Sequence, residues 1–134
     1  MSSNKPSILI VDDEVPIRSA LARIVSRQGF TPVEAASAEE VLAILDRGEV
    51  PAAAICDFNM PGMTGLELAG EINARFSDLP VLLLSGGFRH PEIDEAISSG
   101  QLWAYVSKPW SLAWMRAAVS AMVEGGPPPE GWRS

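Results

Sequence analysis

The chain has 134 residues, 47% of them hydrophobic, which suits one domain with a single sizeable core and leaves too little length for two. Ten Lys and Arg against seventeen Asp and Glu give a formal charge of −7, which argues against a nucleic-acid surface on this chain, because affinity for phosphate backbones comes from clustered basic residues. One cysteine, Cys56, and one histidine, His90, exclude an internal disulfide and a Cys/His zinc site; the apolar runs are too short to cross a bilayer, and a cytoplasmic location is expected.

Short aliphatic runs alternate with stretches of helical period, the pattern of βα units around a parallel sheet buried on both faces. The first run, residues 8–11, precedes a stripe of Ile17, Ala20, Leu21, Ile24 and Val25 that predicts one buried helix face ending at Gly29. A weaker strand over 31–35 leads to a capping box, Ser37 with Glu40, and a helix ending near Gly48. The third strand is expected over 52–56. After Asp57 and the turn 59–63, a second capping box, Thr64 with Glu67, opens a helix with an expected inner stripe of Leu66, Ala69, Ile72 and Phe76.

Pro80 introduces a fourth strand, 81–84, which passes through Ser85-Gly-Gly87 to a short helix between Pro91 and Gly100. The fifth strand, 103–107, ends at Lys108-Pro109, and Ser111 caps a last helix whose inner stripe is expected at Leu112, Met115, Val119 and Met122. Residues 1–124 are thus expected to form the domain, and the Gly/Pro-rich segment 125–134 a linker or disordered tail.

Open parallel α/β sheets bind ligands at the carboxyl ends of their strands, and four of these five strands end in a polar group: Asp12-Asp13, Asp57, Ser85 and Lys108. In the doubly wound order 2-1-3-4-5, the strands bearing carboxylates are neighbours. Converging carboxylates repel one another unless a cation intervenes, and an acidic cluster without Cys or His suits a hard, oxygen-seeking metal, best Mg²⁺. Lys108 then supplies positive charge for phosphate oxygens and Ser85 a hydroxyl donor. The carboxylate facing both metal and the Lys-Ser pair is the expected nucleophile, which favours Asp57 and leaves Asp12 and Asp13 as metal holders.

Ile8-Leu-Ile-Val-Asp-Asp-Glu14, Asp57-Phe-Asn-Met-Pro-Gly-Met-Thr-Gly-Leu-Glu67, Leu84-Ser-Gly86 and Tyr105-Val-Ser-Lys-Pro109 together resemble the receiver domain of two-component response regulators, in the right order from about residue 7 to 123. The resemblance implies a flavodoxin-like five-stranded fold and a regulatory switch rather than an enzyme. It implies that Asp57 accepts a phosphoryl group from a histidine kinase, a phosphotransfer protein or a small phosphodonor. Mg²⁺ would be held by Asp13, Asp57 and the Asn59 backbone carbonyl, with Asp12 on metal-bound water. Lys108 would precede a cis Pro109, while Ser85 and Tyr105 would occupy the hydroxyl and aromatic switch positions.

Two other functions compete. A Mg²⁺-dependent phosphohydrolase with an Asp nucleophile would need a second acid two residues on, where this chain has Asn59, which does no acid/base work. A receiver fold kept only as an interaction module remains open. Cys56 reads as a small buried hydrophobe, and Glu14 either assists the pocket or serves the helix dipole. For output, Trp114, Ala117, Ala118 and Ala121 form an unusually apolar outer face on the last helix. With Trp103, Tyr105 and Trp110 they suggest a surface for an unidentified partner or a second copy, on a face built from the fourth helix, fifth strand and fifth helix.

Overall fold

The computed structural model describes residues 5–86 and 91–130. Five strands, β1 (Ser7–Val11), β2 (Thr31–Ala35), β3 (Ala53–Asp57), β4 (Val81–Ser85) and β5 (Ala104–Ser107), form one sheet in the order β2-β1-β3-β4-β5, every pair parallel. The connections are α1 (Val15–Arg27), α2 (Ala38–Asp46), α3 (Gly65–Arg75) and α4 (Pro91–Ser99), and α5 (Leu112–Glu124) follows β5. Among the described residues no helix is long and apolar enough to cross a membrane.

Alternation along each strand divides the interior into two layers, because successive side chains leave opposite faces of a sheet. Leu9, Val11, Ala54, Cys56, Val81, Leu83 and Tyr105 pack with α2, α3 and α4. Ile8, Ile10, Ala53, Ile55, Leu82, Leu84, Ala104 and Val106 pack with α1 and α5. Both faces are covered, so β3 and β4 are buried at every position and read as unbroken aliphatic runs. The edge strand β2 alternates less cleanly and tolerates Pro32, which cannot donate to a ladder.

Helix starts follow the expected caps, with one change of partner. Thr64 and Glu67 complete a reciprocal capping box at α3. At α2, Ser37 accepts the Glu40 amide at 3.2 Å, but the Glu40 carboxylate reaches back one residue further and accepts the Ala36 amide at 3.0 Å. Two helix stripes are rotated from expectation. With its cap at Thr64, α3 buries Gly65, Leu68, Ala69 and Ile72, an i, i+3, i+4, i+7 set; Leu66 and Phe76 lie at the margins. In α5 the buried set is Met115, Ala118, Val119 and Met122, so Ala118 belongs to the core and Leu112, at the helix start, is 50% exposed. Ala20 of α1 is likewise exposed, and only Leu21, Ile24 and Val25 are buried there.

Gly65 joins helix to sheet. A Cβ at this position would collide with the Asp57 carbonyl and come within 2.9 Å of Leu83 Cδ1, so only glycine lets α3 start against the end of β3. Gly65→Ala is expected to cost about 1–3 kcal/mol in urea unfolding, the usual penalty of overpacking a closed site. An unchanged unfolding midpoint would mean that α3 is free to shift away from β3.

Candidate functional site

The carboxyl ends of β1, β3, β4 and β5 meet along one edge of the sheet, and the strand order brings their terminal polar residues together. Asp12 follows β1 and is fully buried. Its Oδ1 accepts the Glu14 amide at 2.9 Å, its amide donates to the Ala35 carbonyl at 3.2 Å, and its own carbonyl accepts Arg18 Nη1 at 2.7 Å. Arg18 is in turn paired with Glu34 at 3.3 Å. Asp12 is therefore rigidly held, and part of its role is the helix-entry turn that an Asp at this place can always serve.

Asp57 is the last residue of β3 and only 4% exposed. The loop after it is pinned at both ends: the Phe58 amide donates to the Leu84 carbonyl and the Gly65 amide to the Phe58 carbonyl, each at 2.8 Å. Asp13 is exposed beside it. One carboxylate oxygen from each of Asp12, Asp13 and Asp57 lies within 4.8 Å of the others. Asn59 is exposed, with its side-chain amide over Gly86.

Lys108 enters from the end of β5, where its amide donates to the Ser85 carbonyl at 2.8 Å. Its ammonium lies 3.0 Å from Asp57 Oδ1, 3.3 Å from Asp12 Oδ2 and 3.7 Å from Glu14 Oε1. Glu14 thus joins the pocket, the alternative that the sequence left open. The Lys108-Pro109 bond is cis. Ser85 closes β4, is 3% exposed and stands opposite Ser107 in the β4–β5 register. Gly87 and His90 lie outside the described residues.

Burial raises the Asp57 carboxyl above the usual carboxylate range; the Lys108 hydrogen bond pulls it down, and the charges of Asp12 and Asp13 push it up again. Burial pulls Lys108 down, but the hydrogen bond and charge of Asp57, joined by Asp12, outweigh it and hold the ammonium above the ordinary lysine value. Cys56, one residue before Asp57, is fully buried, and burial with the Asp57 charge pushes its thiol up to about 12. It stays a thiol and behaves as a small apolar residue.

Among the described residues, the three clustered carboxylates and Glu14 face a single ammonium, so negative charge is in excess at the pocket. The donors are all oxygen, and the exposed Asp13 side leaves access for a hydrated ion. That donor set fits Mg²⁺ and not a metal that seeks sulfur or nitrogen.

The expected aromatic surface is not one surface. Tyr105 is 5% exposed and lies in the layer under α2, α3 and α4, because alternation along β5 turns it away from Ala104 and Val106. Trp110 lines a groove between α1 and α5 with Ala20, Arg23, Arg27, Leu112 and Arg116. Only Trp103 and Trp114 stay together: both are half-buried, and both indoles donate to the segment after α5. Sequence reasoning passed over Arg18 and Gly65. A glycine directly after a helix cap, where it weakens the helix, was the available sign of close backbone approach.

Comparison with known proteins gives the family. The sequence profile of the response regulator receiver domain matches residues 8–120. The hydrogenase transcriptional regulatory protein HoxA of Cupriavidus necator is 32% identical over 110 residues, which are 82% of this chain and 22% of HoxA. This chain therefore spans about a fifth of that relative's length. Among solved structures, the signal receiver domain of an HD domain-containing protein from Pseudomonas fluorescens superimposes with a TM-score of 0.82 at 27% identity, covering 91% of this chain and 97% of the other. TrrA of Thermotoga maritima, solved in complex with Mg²⁺ and BeF, gives 0.73 at 31% identity, covering 87% and 98%. The strand order, the acidic edge and the profile match converge on one assignment: the chain belongs to the receiver-domain family of response regulators.

Proposed function

We propose that this chain is a phosphorylation-dependent switch in which Asp57 accepts the phosphoryl group. The observation that carries the reading is the 3.0 Å contact between Lys108 Nζ and Asp57 Oδ1 inside a cluster of three carboxylates. Asp57 is the better nucleophile of the three. One Asp12 oxygen is occupied by the Glu14 amide and the other faces Lys108, while Asp13 stands in solvent away from that ammonium. In the transfer an Asp57 carboxylate oxygen attacks phosphorus, a P–O bond forms, and the bond to the donor breaks with its electron pair leaving on the donor. That donor is a phosphohistidine on a kinase or phosphotransfer protein, or a small acyl phosphate.

Mg²⁺, held by the Asp13 and Asp57 carboxylates and the Asn59 backbone carbonyl with Asp12 reaching it through water, would supply charge neutralisation for the phosphoryl oxygens. The Mg²⁺ and BeF bound to the TrrA relative support this assignment. Lys108 orients Asp57 and receives a second phosphoryl oxygen; the Ser85 hydroxyl offers a donor to a third. The pull on Ser85 and Lys108 acts on two adjoining strand ends joined by the Lys108 amide, and so on the start of α5. Shifting a two-state element from 1:99 to 99:1 takes about 5.5 kcal/mol, within reach of a few charge-assisted hydrogen bonds at roughly 1.5–3 kcal/mol each. The partner that reads the change is an output domain, another protein or a second copy of this chain. Asn59 gives no general acid, which disfavours turnover of outside phosphoesters.

Acetyl phosphate with Mg²⁺ is expected to add one phosphoryl group per chain by intact mass, and Asp57→Asn to abolish the addition. Full labelling of that variant would remove Asp57 from its role, multiple turnover of a phosphoester would make the chain a hydrolase, and an unlabelled parent would leave an interaction module.

Saturating Mg²⁺ at neutral pH is expected to stabilise the fold by about 1–3 kcal/mol, because it binds only the assembled pocket, and Asp13→Ala should remove most of that gain in thermal unfolding. In chelator the sign reverses for Asp57. Its raised carboxyl opposes folding wherever it is ionised, so Asp57→Asn should be more stable than the parent at pH 7. Lys108 keeps Asp12 in that variant. The difference should close as pH falls through the raised value and disappear below the unfolded one; a variant less stable than the parent at pH 7 would contradict the account.

A further inference from the structure

We propose that Trp103 and Trp114 form a clamp for a polyproline strand, filled in cis by the chain's own segment from Gly126 to Pro129. The two indoles come from different elements, one from the residue before β5 and one from α5. Trp103 Nε1 donates to the Gly126 carbonyl at 3.0 Å and Trp114 Nε1 to the Pro129 carbonyl at 3.3 Å. The acceptors are three residues apart. A polyproline II helix has three residues per turn, so carbonyls at that spacing face the same side.

The sequence between them is built for that conformation. Pro127, Pro128 and Pro129 hold φ near its polyproline value and carry no amide hydrogen, so this stretch offers acceptors only. Side chains with an apolar face and one N–H donor are the matching surface, the way Trp-lined grooves read proline-rich peptides. Residues 126–129 are neither helix nor strand. Gly126, Pro128 and Pro129 are half-buried while Pro127 and Glu130 are exposed, as for a strand resting on one side.

The reversal that lays the segment back on the body is set by the end of α5. Gly125 takes the left-handed conformation at φ +79°, its amide donates to the Met122 carbonyl at 3.4 Å, and the Gly126 amide donates to the Ala121 carbonyl at 2.9 Å. These are the paired bonds of a Schellman end, and they aim the chain back along the helix. Prolines beyond a helix terminus ordinarily just stop the helix. That plainer role accounts for the Gly-Gly-Pro sequence but not for two indole donors set one polyproline turn apart.

The clamp makes Trp114 and its surroundings a covered surface. A partner that uses this face of α5 must displace the proline strand or present one of its own. The clamp stands on contacts separate from Asp57, and its test needs no phosphorylation.

Hydrogen exchange of the indole N–H groups, followed by NMR on the full chain, tests it. In the variant Pro127→Gly, Pro128→Gly, Pro129→Gly, the Trp114 indole N–H is expected to exchange about tenfold faster than in the parent, the effect of losing one net hydrogen bond. In Trp114→Phe, which keeps an apolar ring and loses the donor, the Glu130 amide should acquire the fast motion of a free tail while helical circular dichroism is unchanged. Equal indole exchange in parent and triple-glycine chains, or a Glu130 amide equally mobile in parent and Trp114→Phe, would overturn the clamp. Protection that grows with protein concentration would overturn its cis form, since a neighbour's tail would then be the occupant.

Discussion

Asp12, Asp57 and Glu14 drawn around the Lys108 ammonium, with Asp13 beside them, at the carboxyl edge of the sheet are the constraint on which the rest of the molecule depends. Like charges this close are held together only by a stiff frame, and the frame is visible bond by bond. The Arg18 guanidinium grips the Asp12 carbonyl, the Phe58 and Gly65 amides pin the loop after Asp57, and the Lys108 amide is tied to Ser85. Each of these contacts is to backbone, which fixes where a carboxylate or ammonium sits without consuming its charge. Burial raises the Asp57 carboxyl and the neighbouring acids raise it further, so the packing beneath holds this carboxylate where its charge is disfavoured. The two apolar layers offset that cost.

The same frame couples the pocket to the helices. Lys108 and Ser85 lie at the ends of adjacent strands, and their backbone bond joins the ends of β4 and β5. Two residues after Lys108 stands Trp110 at the groove between α1 and α5, and Ser111 then caps α5 with its hydroxyl on the Trp114 amide at 3.1 Å. Under the proposed function, a pull on Lys108 reaches α5 through four residues of chain. Tyr105 belongs to the other layer, opposite Leu83 in the register and packed toward α2, α3 and α4, so it would answer from the far face of the sheet.

Much of this was legible in the amino-acid order, and the failures share a cause. Doubly covered parallel strands leave unbroken aliphatic runs, and caps such as Thr64 with Glu67 mark helix starts, so the elements could be read directly, while the strand order followed from the general doubly wound pattern. Strand ends are where such sheets bind ligands, which makes Asp12, Asp57, Ser85 and Lys108 a group on the sequence alone. Helix phase was harder. Leu66 in place of Leu68, and Leu112 in place of Ala118, are errors in choosing which face meets the sheet, and hydrophobicity alone does not separate a leucine at the rim from an alanine in the core. The aromatic surface failed for a different reason: closeness in sequence hid the reversal of side-chain direction along β5 and the return of the chain after α5. Arg18 acts through a backbone contact that leaves little trace in a residue's type, whereas Gly65 is marked by its place directly after the cap.

The most direct measurement is chemical mapping of the modified residue. A chain treated with a small acyl phosphate in Mg²⁺ and then reduced with borohydride converts an aspartyl phosphate to homoserine, which tandem mass spectrometry locates within the peptide. The account predicts homoserine at position 57 and at no other position. Homoserine at 12 or 13, with 57 unchanged, would contradict it.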